Sequence, residues 1–353
     1  MDTRVNTFVK SINRSFILGL FGISLILVAC NRVSPEMQER VIQTSSQDIP
    51  TATLTVSPLS TPDRSLSVSP LALPKNTGGF IAFHTDQSGE LQIHTIDLET
   101  SSEQQLVETG RSFEPSWSPD CQKIVFTSER NGPGNFELYL MNRDGSDQRK
   151  LIPSQVVTPG MKDWAPTWSP KGDTIAYQSN QNSDLQVCFA SINGKHLGCH
   201  VPGWSTALPA WSPNGDQLLF IGLEDGDWDV FIVDVRVLED QVELSEPVKL
   251  TDNTTVEKNP HMSPDGQYIT FESNLQDNYD IMLMRADGTE LRRLTSEAVD
   301  EVMPNWLGNE QVLYTRQTAA GWEIASVDVI SGAIQTIKST DALNKWPVWC
   351  GAE

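Results

Sequence analysis

The sequence predicts an all-β protein: a six-bladed β-propeller of four-stranded antiparallel blades, closed by the C-terminal strand joining blade one. Three observations carry this expectation. A Pro-x-Trp step recurs along the chain, short β-type segments follow each step at fixed offsets, and each end of the array lacks what the other end has.

The step appears as Pro115/Trp117, Pro166/Trp168, Pro209/Trp211, Pro304/Trp306 and Pro347/Trp349, with Pro260/Met262 as a variant. Successive Trp or Met positions are 51, 43, 51, 44 and 43 residues apart. Proline makes up about 5% of ordinary sequences, so six in one register mark a repeat rather than chance. Four steps continue into Ser-Pro (Ser118, Ser169, Ser212 and Ser263), and Gly172, Gly215 and Gly266 then supply a turn, with Cys121 in place of glycine in the second unit.

A second register is an apolar strand carrying an aromatic at Phe83, Phe126, Tyr177, Phe220, Phe271 and Tyr314. Such β-branched and aromatic runs fit a pleated, packed surface. The third register alternates bulky, polar and aliphatic residues, as in Phe136-Glu137-Leu138, Trp228-Asp229-Val230 and Tyr279-Asp280-Ile281. That alternation predicts one buried and one solvated face per strand. Turns follow at Asp144-Gly145, Asn193-Gly194 and Asp287-Gly288, and a fourth strand ends near Leu106, Leu151, Leu250, Leu294 and Ile337. The first unit starts at Gly78 without a Pro-x-Trp strand, whereas Lys345 to Cys350 is such a strand with nothing after it. Pairing Pro347–Trp349 beside Ile81–Phe83 completes blade one and removes two bare sheet faces.

Composition narrows the function classes. A formal net charge of −21 argues against nucleic acid, whose phosphates need clustered Lys and Arg. The N-terminus reads as a signal peptide over 1–29: a basic segment with Arg4, Lys10 and Arg14, then an apolar run from Phe16 to Leu27 that is short for a membrane span. Leu27-Val28-Ala29-Cys30 resembles a bacterial lipobox, which implies cleavage before Cys30 and its acylation. An uncleaved signal anchor is the alternative. Removing residues 1–29 takes a net +2 with it and leaves the mature chain at −23. Residues 30–77 then form a lipidated Cys and a Pro/Ser/Thr-rich tether with too little apolar periodicity to fold, and residues 78–353 form the propeller. The expected location is the bacterial cell envelope, lipid-anchored and facing the periplasm or the exterior.

The stretches "PSWSPD", "PTWSPKG", "PAWSPNG" and "PHMSPDG", each followed by a strand such as "IVFTS" or "ITFES", resemble the WD-like propeller repeat of the TolB family. Residues 280–295, "DIMLMRADGTELRRLT", are similar to the rest of that repeat. The resemblance implies the propeller fold over nearly all of residues 78–350. It implies less about activity, because the same repeat occurs in peptidase and sugar-lyase propellers. This chain also departs from the family's namesake in carrying a tether where the namesake has an N-terminal α/β domain.

The Trp117, Trp168, Trp211, Met262, Trp306 and Trp349 column reads as packing between blades, with a ligand channel as the alternative. Alternating carboxylates at Asp225, Asp227 and Asp229 offer a weak calcium candidate without the spacing of an EF-hand. Four cysteines remain after lipidation: Cys121, Cys188, Cys199 and Cys350. In an oxidising compartment they allow three pairings, and free buried thiols are the other possibility. If Asn193-Gly194 is a two-residue turn, Ile192 faces Lys195 and Cys188 faces Cys199, which leaves Cys121 with Cys350.

Catalytic patterns are absent: there is no G-x-S-x-G elbow, and His84, His94, His196, His200 and His261 lack metal-binding spacing. The expected function is therefore non-enzymatic capture of an envelope protein or peptide by a monomeric, membrane-anchored propeller needing no cofactor. A carbohydrate-active or metal-dependent enzyme using a channel residue such as His261 is the alternative.

Overall fold

The computed structural model describes residues 78–153, 160, 162–181, 184–200 and 204–351. These residues form six antiparallel sheets in a ring, with no helix among them. The innermost strands are Asn344–Cys350, Ser112–Trp117, Asp163–Trp168, Thr206–Trp211, Glu257–Met262 and Glu301–Leu307, for blades one to six in turn. Blade one takes its innermost strand from the C-terminus: Asn344–Cys350 pairs antiparallel with Phe80–Thr85, and Trp349 lies opposite Ile81. Blade four carries an added strand, Val242–Leu244, paired with the long third strand Asp227–Val237.

Because strand one of each blade pairs with strand two, and two with three, the loops joining strands two and three lie where the inner strands begin. That side is called the upper face here, and the Ser-Pro turns lie on the lower face.

The core divides into six clusters between neighbouring blades and a seventh at the axis. Trp117, Trp211, Trp168 and Trp306 belong to four of the inter-blade clusters, and Met262 and Trp349 pack against the other two. The column of bulky residues thus occupies every blade interface once. Trp117 and Trp306 also donate their indole N–H to backbone carbonyls of the preceding blade, Val348 and His261.

The expectation of one solvated face per third strand is corrected. The polar middle residues Gln92, Glu137, Gln186, Asp229, Asp280 and Glu323 are all buried, at 1–8% exposure. In a ring both faces of a sheet meet a neighbouring blade, so period-two alternation separates two buried environments rather than core from water. The charges are compensated: Glu137 pairs with Lys150, Asp229 with Lys249, Asp280 with Arg293 and Glu323 with Arg316. Buried carboxylates need such partners because desolvation is otherwise prohibitive.

The hairpin register in blade three is also corrected. Ser191, not Ile192, lies opposite Lys195, so Ile192-Asn193-Gly194 form a three-residue loop with Gly194 at φ 85°. The loops at Asp144-Gly145 and Asp287-Gly288 are built the same way. A bulge near Gly198 (φ 114°) then restores the register, so Cys188 and Cys199 still stand opposite each other.

Candidate functional site

The axis is built from a backbone irregularity that recurs in every blade. The residue before each step proline has positive φ: Glu114 54°, Ala165 49°, Leu208 51°, Asn259 51°, Met303 57° and Trp346 59°. Each inner strand shifts register at this point against its neighbour. Proline has no N–H to give the ladder, so the strand bulges there and re-aims its side chains. A left-handed, non-glycine residue costs about 1–2 kcal/mol, and one in each blade is a considerable strain gathered around one axis.

Four of the six bulged amides are capped from the preceding blade. Glu114 N–H donates to His84 Nδ1 (3.3 Å), and Ala165 N–H to Glu114 Oε2 (2.8 Å). Leu208 N–H donates to Gln178 Oε1 (3.4 Å), and Met303 N–H to Glu272 Oε2 (2.5 Å). Three of these acceptors occupy the position directly after the second-register aromatic. In blade two that position is Thr127, too short to reach, and its hydroxyl instead donates to the Glu114 carboxylate that does (2.9 Å).

Burial sets the protonation states of these capping groups. Burial, aided by the charges of Lys345 and Arg111, pushes His84 down to about 3, so it is neutral and Nδ1 is free to accept. Burial pushes Glu114 up to about 7 against the pull of the Ala165 and Thr127 hydrogen bonds, and it raises Glu272 as well.

The bulged residues divide the channel. Trp346 packs against the axial cluster of Phe113, Phe136, Trp164, Ala165, Ala207, Leu208 and Ile221, which draws on blades two, three and four. It thereby reaches from blade one into the opposite wall. Below it lies a cavity of about 170 Å³. Its lining combines apolar walls (Trp117, Trp346, Trp349 and step prolines) with Ser116, Thr167, Asn259, His261 and Asn305, and includes no Asp, Glu, Lys, Arg or Cys. His261 is also uncharged at neutral pH, since burial lowers it to about 4. In a chain of net charge −21, this lining offers hydrogen bonds and aromatic faces but no charge.

Of the residues singled out from sequence, His261, Trp117 and Trp349 reach this cavity. The others fall elsewhere. Asp225 and Gly226 form a two-residue hairpin loop between paired Glu224 and Asp227, while Asp229 turns inward, where Lys249 Nζ lies 3.0 Å away and Thr251 also contacts it. The alternation of carboxylates here is turn chemistry followed by a buried ion pair. Among the described residues, no three His, Cys, Asp or Glu side chains gather as a metal site. Disulfides join Cys121 to Cys350 and Cys188 to Cys199. Cys121 takes the left-handed conformation (φ 55°) that glycine takes in sister turns, and Cys350 belongs to the closing strand. Cys30 and the segments read from sequence as a signal peptide (1–29) and a tether (30–77) lie outside the described residues. Sequence reasoning missed the ring of bulged residues and its caps. Two traces were present: the step proline that each bulge precedes, and the polar residue after most of the aromatics (His84, Thr127, Gln178, Glu272 and Thr315), a column interrupted by Ile221.

Comparison with known proteins places this architecture. The TolB from Acinetobacter baumannii superimposes with a TM-score of 0.64 at 17% identity, covering 77% of this chain and 66% of that one. A putative TolB from Agrobacterium tumefaciens gives 0.58 at 17% identity, covering 78% and 99%. At these identities the likeness is one of fold. In sequence, 174 residues are 26% identical to an uncharacterized peptidase, YuxL, of Bacillus subtilis, covering 48% of this chain and 23% of the relative. A stretch of 90 residues is 30% identical to the uncharacterized protein Atu1656 of Agrobacterium fabrum, covering 25% of this chain and 28% of the relative. The chain thus spans about a quarter of the length of the curated relatives it matches. The TolB beta propeller domain (PD40) matches residues 64–196 and 134–351, and on that match the chain belongs to the TolB β-propeller domain family.

Proposed function

We propose that this protein is a membrane-tethered, non-enzymatic binding propeller of the bacterial envelope, whose lower cavity receives an uncharged side chain of a protein or peptide partner. Acylation at Cys30 would supply the anchor, and residues 31–77 the reach. The charge-free lining of the cavity carries the reading. Two asparagines, a neutral histidine and two hydroxyls can orient a polar group, while three tryptophans and the step prolines bury the rest of it. Chemistry through His261 is poorly supported, because Asn259 and Asn305 beside it neither take nor deliver a proton at neutral pH. The Bacillus relative is named a peptidase, but the shared stretch covers 23% of it.

The test is a photo-crosslinking amino acid at Thr167 or Ser116, with irradiation of intact cells and mass spectrometry of the adducts. One recurrent adduct that disappears when His261 and Asn305 are both changed to alanine supports the reading. A ladder of abundant envelope proteins unaffected by those changes overturns it. Cys30→Ser tests the anchor separately: the protein should leave the membrane fraction.

A further inference from the structure

The upper side of the channel, above Trp346, has a different chemistry. Lys258 and Lys345 sit two residues before their step prolines, on the inner strands of blades five and one, and flank blade six. The Lys345 ammonium lies 3.6 Å from the centre of the Trp322 ring. The Lys258 ammonium lies 4.4 Å from the centre of the Tyr279 ring and donates to its hydroxyl (2.9 Å). Among the described residues, neither has a carboxylate within ion-pair distance; Glu272 and Asp300 act on Lys345 only through longer-range attraction. Glu272 stands directly across the ladder from Lys258, yet its carboxylate turns to cap Met303 N–H. Asp300 is engaged by Tyr279 N–H (3.1 Å).

In a chain of net charge −21, most cations have acidic neighbours to choose from. Here two lysines, one half-buried and one 8% exposed, rest against aromatic rings instead, with no carboxylate of the described residues in direct contact. Each aromatic ring holds its ammonium from one side, and each ammonium has three donors to place. Lys258 spends one of them on Tyr279. The remaining donors are those that an anionic oxygen would take, with charge-assisted hydrogen bonds from both sides.

We propose that Lys258 and Lys345 form an oxyanion-binding site at the upper mouth of the channel, taking a carboxylate or phosphate group between two ammonium donors positioned by Tyr279 and Trp322. The site is separate from the lower cavity and stands whether or not that cavity binds a partner.

The test uses purified full-length protein in detergent, titrated with inorganic phosphate in one arm and N-acetylglycine in the other, with sodium chloride holding ionic strength constant. The melting temperature is followed as a function of ligand. A saturable rise in either arm supports the proposal, and the arm that responds identifies the oxyanion geometry. Lys258→Met and Lys345→Met keep the aliphatic stems, and each should weaken binding roughly tenfold or more. Lys258→Arg retains a cationic donor and should keep binding within a few-fold. Lys258 is only half-buried, so its variants test the site even if Lys345→Met does not fold. Flat curves in both arms overturn the proposal, as does a rise of equal size in the methionine variants.

Discussion

Serine in place of Cys350 removes the bond that clasps the closing strand to blade two. Cys121 and Cys350 are 229 residues apart in sequence, so the cross-link closes nearly the whole propeller into one loop in the unfolded chain. On a chain-entropy argument, a loop of that length is worth on the order of 5 kcal/mol, against about 3 kcal/mol for the 11-residue loop closed by Cys188 and Cys199. A domain of this size unfolds with an entropy of about 2.1 cal/mol/K per residue, which converts those figures to melting-point losses of roughly 9 °C and 5 °C. The assay is scanning calorimetry of oxidised wild type, Cys350→Ser and Cys199→Ser, repeated after reduction. The order of the two losses decides the matter, since it depends on loop length alone. A Cys350→Ser loss no larger than that of Cys199→Ser would refute the argument, as would a loss that persists undiminished when both proteins are reduced.

Three further outcomes follow from named contacts. Glu114 titrates in the native state at about 7, above its ordinary 4.5, so its contribution is fully present below about pH 4.5 and is lost as pH rises through 7. Glu114→Gln fixes the neutral form, and its stability advantage over wild type in urea unfolding should be near zero at pH 4.5 and on the order of 1–3 kcal/mol at pH 8. Lys249→Met strands the buried Asp229 carboxylate and should cost about 3–5 kcal/mol in urea unfolding, with Asp229→Asn on the same chain recovering much of it. Gly222 has an ordinary φ but lies under the Trp204 ring, so Gly222→Ala should cost about 1–3 kcal/mol through overpacking alone, seen as a lower melting point.

What was legible in the sequence was whatever the repeat imposes on every blade. The Pro-x-Trp column, the second-register aromatics and the complementary chain ends recur because each blade faces the same packing problem against its neighbour. Six copies of one pattern make the ring and its closing strand readable without coordinates. The facing of Cys188 and Cys199 was readable too, although through a turn of the wrong length whose one-residue slip a bulge at Gly198 cancels.

Tertiary structure alone decided two other things. Period-two alternation says that a strand has two faces but not what covers them, so the burial of Asp229 and Asp280 between blades became visible only when the ring closed over both faces. The axis was the other: Glu114, Ala165, Leu208, Asn259, Met303 and Trp346 share a place before the step proline but little chemistry, so the proline column locates them without showing that the backbone turns left-handed there. They converge because six inner strands bulge toward one line. Which of them fills the channel, and which lysines are left facing its upper mouth, depends on distances between residues far apart along the chain, such as Trp346 and Ala165.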